Sequence, residues 1–157
     1  EGIKKFSSEI LNNSVFVFVR GYSCGDKLFE SFKNGLENIV GLNFHIEHSL
    51  TQGEVWSLIK RSDLIYMVPK SDGTPNSALE TMASEKPLIM GDLDYNKELF
   101  EDVCLIANLS NSNSLAQKID EGLNNYSEKL IQNGLEKVTK FGSRDAEMNK
   151  LLKLYQE

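Results

Sequence analysis

Short apolar runs and segments of helical period take turns along this chain, and that alternation leaves few folds open. "SVFVFV" (14–19) is β-branched and aromatic and is stopped by Gly21, the pattern of a buried strand. "DKLFESFKNGLENI" (26–39) then places Leu28, Phe29, Phe32, Leu36 and Ile39 at helical spacing. "LNFHI" (42–46) is a second strand, and "GEVWSLIKRS" (53–62) a short helix with Val55, Trp56, Leu58 and Ile59 as its apolar set. "DLIYMVP" (63–69) is continuously apolar, as a strand buried on both faces should be. A helix from Pro75 to about Ser84, the strand "PLIM" (87–90), a helix around Asn96–Phe100 and the strand "VCLIA" (103–107) follow. After "SNSNS", a loop ending in a helix cap, the chain is helical from Leu115 through Leu154, with breaks near Asn124 and Gly142.

Strands alternating with helices across short connections predict an α/β fold: a Rossmann-like parallel sheet with helices on both faces. The 157 residues fit one domain, 1–157, with a closing helix over 143–157. One element is out of place. "EGIKKFSSEI" has helical character but no strand before it, whereas a doubly wound unit opens with a strand that lies centrally. The expectation is a sheet lacking its first strand, in a chain that is the second half of something longer.

Composition narrows the partners. Apolar residues make up 40% and charged residues 25%, ordinary for a globular protein. A net charge of -6 argues against a surface given over to nucleic acid, but a helix N-terminus can hold one phosphorylated small molecule without net positive charge. The longest apolar run, Val15–Val19, is too short to cross a bilayer. Cys24 and Cys104 lack CxxC spacing and imply reduced thiols in a cytoplasmic protein.

The stretch "SDGTPNSALETMASEKP" (71–87) carries the chemistry. Thr74 suits an N-cap and Pro75 the first helical position, with Leu79, Met82 and Ala83 turned toward the sheet; nothing functional is needed for that. Yet Asn76, Ser77 and Glu80 share one polar face at the helix start, and Asp72 and Gly73 lie just past the carboxyl end of "DLIYMVP". In open α/β sheets ligands bind in that crevice. A carboxylate on either side suits phosphates in the middle and hydroxyls at both ends. Capping and a phosphate-and-sugar site both remain open on these residues.

Acid, seven residues, acid, then a small-residue helix ending in "KP" before a strand, resembles the signature of retaining glycosyltransferase family 4. "DLIYMVPKSDGTPNSALETMASEKPLIMGDLDYNKELFED" is similar throughout, with "ALETMA" in the place of "LLEAMA" and Glu98 in the place of an acid that recurs later. The closing "KFGSRDAEMNKLLKLY" is similar too. The resemblance implies one half of a GT-B fold, the C-terminal donor-binding domain. It implies a UDP- or GDP-sugar as donor substrate, with Glu80 on the ribose hydroxyls and Asp72 near the transferred sugar. Gly73, Thr74, Pro75 and Asn76 would lie along sugar and diphosphate, with the N–H groups of Gly73 and Thr74 as donors. No metal or further cofactor is implied. The acceptor, a glycan or lipid, would sit on another domain, with peripheral membrane association of the whole enzyme and a role in cell-envelope glycan synthesis. The sequence departs from the pattern at three points: Asp72 is shorter than the usual glutamate, Glu85 stands where glycine is common, and the chain opens "EG" where "KG" would bring a phosphate-binding lysine.

Other features carry less. In "HIEH", His45 and Glu47 share one strand face and His48 the other, so a metal site would need a bend. The loop His48–Leu50 is a base-contacting region by analogy with the family. "RGYSCG" (20–25) lacks the full dinucleotide spacing, Cys24 has no partner for nucleophilic work, and Trp56 is expected in the core. Arg20, Lys70 and Lys86 could lend positive charge to a phosphate. A receiver-like interaction module would need an acidic cluster after the first strand, where Arg20 and Gly21 stand; a non-catalytic α/β module of another kind, and another GT-B family, remain as alternatives.

Overall fold

The computed structural model describes residues 2–20, 26–69 and 76–141. Asp72, Gly73, Thr74, Pro75, Cys24 and the expected closing helix over 143–157 lie outside the described residues. A 3-10 helix, Gly2–Lys5, precedes α1 (Ser8–Asn13) and β1 (Phe16–Arg20). Then follow α2 (Asp26–Glu37), β2 (Phe44–His48), α3 (Gln52–Arg61), β3 (Ile65–Met67), α4 (Asn76–Ala83), β4 (Leu88–Gly91), α5 (Asp94–Phe100), β5 (Leu105–Ala107), α6 (Ser112–Asn124) and α7 (Glu128–Phe141). Every expected element in the described range is present, with boundaries moved by a few residues. Among the described residues no helix is long and apolar enough to cross a membrane.

All strand pairs are parallel, and they form two sheets. β1 pairs with β2, Phe16 opposite Phe44 and Arg20 opposite His48. β3, β4 and β5 pair in that order, with Tyr66 opposite Ile89 and Met90 opposite Ile106. Successive residues of β4 face opposite sides, and both sides are covered. Ile89 packs with Ile119, Leu105, Phe16 and Phe6, while Leu88 and Met90 pack with Ala78, Met82, Phe100 and Val103. Leu88, Ile89 and Met90 are completely or almost completely buried. Each such side chain contributes about 1.5–3 kcal/mol relative to exposure.

β1 departs from the expectation of a strand buried on both faces. Phe16 is buried against Phe6, ring centroids 5.5 Å apart, but Val15, Val17 and Val19 on the opposite face are 56%, 39% and 49% exposed. Val15 and Val17 line a cleft of about 640 Å³ between β1 and β3. β3 is likewise half-buried rather than enclosed, and its Tyr66 lines the same cleft. Trp56, expected in the core, is 50% exposed, because α3 turns Ile59 inward instead. Leu28 on α2 is likewise exposed, and Leu36 is the residue of that stripe that is buried.

Candidate functional site

In chain order β2 is followed by α3 and β3 by α4, and the starts of these two helices come together where Gln52 meets Glu80. α4 buries Ala78, Thr81 and Met82, with Leu79 half-buried; Ala83, expected on the sheet side, is exposed. Thr81 completes its burial by donating its hydroxyl to Ser77 O at 2.7 Å. That leaves Asn76 and Ser77 exposed and Glu80 half-exposed, on one polar face as the spacing predicts. Where α4 starts, the helix dipole favours an anion.

Glu80 has a partner the sequence did not announce. Gln52 Nε2 donates to Glu80 Oε1 at 2.6 Å, from the first residue of α3 to the second turn of α4. Gln52 is held there by the cap beneath it. Thr51 accepts from Glu54 N at 3.4 Å, while its own N–H and hydroxyl both donate to Glu54 Oε2 at 2.7 Å. Those bonds, the hydroxyl's first, hold the Glu54 carboxyl below its ordinary value. The signal was available: "TQGE" is the capping-box pattern, and reading it would have started α3 at Gln52.

The bridge brings the loop after β2 to the same edge as Glu80. Ser49 in that loop is left-handed, φ 56°, which turns the chain from β2 into α3. His48 packs its ring edge-on to Phe29, centroids 5.3 Å apart, whereas His45 and Glu47 line the cleft beside β1. "HIEH" thus divides between two faces, as strand alternation requires.

Glu85, the departure from glycine noted in the sequence, takes φ 54°. Glu85 N donates to Met82 O and Lys86 N to Thr81 O, at 3.0 and 3.2 Å. This is the left-handed helix end that glycine usually serves, so the backbone keeps the form although the residue has changed. Glu98 is exposed on α5. Cys104 is buried, donates to Phe100 O at 3.1 Å, and has its thiol pushed up to about 12, chiefly by burial; it takes no part in this edge.

Residues 4–137 match the family described as Glycosyl transferases group 1. The chain belongs to that family. Solved structures agree on the fold of this group 1 domain. A glycosyltransferase from Rickettsia africae ESF-5 superposes with a TM-score of 0.81 at 17% identity, over 99% of this chain and 43% of that one. Sucrose-phosphate synthase from Thermosynechococcus elongatus gives 0.75 at 15%, over 99% and 41%. A mutant of S. aureus TarM, in complex with Fondaparinux, alpha-GlcNAc-glycerol and UDP, gives 0.73 at 20%, over 99% and 32%. No curated protein matches. The group 1 domain therefore has the α/β architecture of one half of a GT-B glycosyltransferase, and it spans about two-fifths of the first two of these chains.

Proposed function

We propose that this group 1 domain binds the nucleoside diphosphate sugar of a retaining glycosyltransferase, and that a second domain of the whole enzyme carries the acceptor glycan or lipid. The observation that carries the reading is Glu80, a half-exposed carboxylate near the start of α4 whose orientation is set by Gln52 across the edge. A carboxylate so held can accept two ribose hydroxyls through charge-assisted bonds, which are strong and directional. The base then extends toward the loop around Ser49, on the Gln52 side.

The diphosphate lies along the α4 N-terminus, where oriented N–H groups stabilise the charge that grows on the leaving group as the sugar–oxygen bond breaks. In this proposal Asp72 contacts the transferred sugar, Gly73 and Thr74 donate their N–H groups, and Pro75 and Asn76 complete the segment. The donor is a UDP- or GDP-sugar, no metal is required, and the whole enzyme works in the cytoplasm at the inner face of the membrane.

Calorimetric titration with UDP, GDP and UDP-glucose tests this on the chain and on Glu80→Ala. The variant should bind the preferred nucleotide at least about tenfold more weakly, since losing charge-assisted hydrogen bonds costs roughly 1.5–3 kcal/mol. Equal affinities would move the nucleotide away from Glu80 and overturn the assignment.

A further inference from the structure

β2 is an outer strand of its sheet, and its free edge carries a pattern that fits itself. Phe16 N donates to Asn43 O, with Phe16 opposite Phe44 in the parallel register. Main-chain groups alternate between the two sides of a strand, so those of His45 and Glu47 turn to β1, and those of Phe44, Ile46 and His48 turn outward. Among the described residues no strand pairs with that outer side. Edge strands are usually blunted by brevity, cover, a bulge, proline or lysine. β5, an outer strand of the other sheet, follows the rule: it has three residues, and Leu105 and Ala107 are buried. β2 does not. It runs five residues, its register with β1 is unbroken by a bulge, and "FHIEH" holds neither proline nor lysine. Val40, in the turn that leads into β2, is 93% exposed.

The side chains select what can pair there. An antiparallel copy of β2, related by a two-fold axis at Ile46, sets Ile46 opposite Ile46, Phe44 opposite His48, and His45 opposite Glu47 on each side of the axis. The main chain agrees. Phe44, Ile46 and His48 then form hydrogen-bonded pairs, each exchanging both bonds with its opposite, while His45 meets Glu47 in a non-hydrogen-bonded pair, where side chains approach closest. The imidazole can donate directly to the carboxylate. Sliding by two residues, the next step the main chain allows, would set His45 against His45 or Glu47 against Glu47 and shorten the overlap; like groups opposite each other are unfavourable. Among the described residues no ion pair or side-chain hydrogen bond engages His45 or Glu47 within the chain, so both are available.

We propose that this edge is a self-association surface: two copies of the chain pair antiparallel through β2, with Ile46 at the two-fold axis and His45 of each copy bonded to Glu47 of the other. The pairing joins the β1-β2 sheets of both copies into one continuous sheet. An interface built on so short a strand is a weak, reversible one. This inference rests on strand geometry and is independent of the nucleotide reading.

Sedimentation equilibrium and amide hydrogen exchange test it on the chain at concentrations up to about 1 mM. As the dimer forms, the amides of Phe44, Ile46 and His48 should become at least about tenfold better protected, while those of His45 and Glu47, already bonded to β1, do not change. His45→Glu and Glu47→Lys should each weaken self-association at least about tenfold, because each sets carboxylate against carboxylate or donor against donor on both sides of the axis. Mixed together, the two variants should dimerise with each other about as tightly as the original chain, since each supplies the charge the other lacks. A chain that stays monomeric at about 1 mM, or a dimer that leaves the Phe44, Ile46 and His48 amides unprotected, would overturn the proposal. So would variants that are folded by circular dichroism but do not pair when mixed. Should either variant fail to fold, the amide pattern of the original chain decides alone. No readout involves a nucleotide, so failure here and failure of the donor-site reading are separable.

Discussion

The two sheets of this domain differ in how completely they are covered. β4 is buried along its whole length, with cores on both faces and Tyr126 reaching in to donate its hydroxyl to Val103 O at 3.1 Å. β1 is also apolar from Phe16 to Val19 but is covered on one face only. Two apolar strands have thus reached different environments: β4 has a strand on either side, whereas among the described residues β1 pairs with β2 alone. The lesson concerns the site as well: Glu80 stands on α4, which packs on β4, and the residue that orients it, Gln52, stands on α3, whose Leu58 and Arg61 line the cleft. The geometry of the candidate site therefore depends on how firmly the two halves are held together.

The largest expected effect would sharpen this contrast directly. Ile89→Ala should cost about 3 kcal/mol in urea unfolding, the loss of a fully buried side chain plus a cavity that its neighbours cannot close. Val17→Ala should cost less than about 1 kcal/mol, because that side chain already meets solvent. Equal losses for the two would erase the asymmetry.

A smaller effect concerns the turns. Each half has one non-glycine residue at positive φ among those described, Ser49 before α3 and Glu85 after α4. Glu85→Gly should raise stability by about 0.5–1 kcal/mol, the left-handed cost relieved less the extra entropy of an unfolded glycine. Ser49→Gly serves as the matching measurement in the other half. A loss of stability at Glu85→Gly would mean that the glutamate side chain supports the helix end.

The smallest effect is the acid response of the α3 cap. Glu54 is held below its ordinary value of 4.5 in the folded chain. Its contribution is therefore complete above pH 4.5 and is lost as pH falls through the lower folded value. Amides in the first turn of α3 should exchange faster over that interval, after correction for intrinsic rates, while those of β4 do not change. Glu54→Gln should remove the pH dependence, and an unchanged profile in that variant would assign it to another group.

Much of the architecture was legible because periodicity is local. "DLIYMVP" and "PLIM" could hardly be other than strands, and the face of Asn76, Ser77 and Glu80 follows from helical spacing alone. The exposed side of β1 was not legible, since Val15, Val17 and Val19 look the same whether a helix covers them or not. Trp56 misled for a related reason. It sits inside an apolar stripe, but which edge of the stripe turns inward depends on where α3 lands.

The sequence by itself determined the order and type of the elements, the polar face of α4 and the family signature, because each is written in neighbouring residues. Tertiary structure alone decided that Gln52 meets Glu80, 28 positions apart, and that the strands divide into two sheets across a cleft. Both are long-range matters, set by which surfaces meet when the chain packs, and no local pattern encodes them.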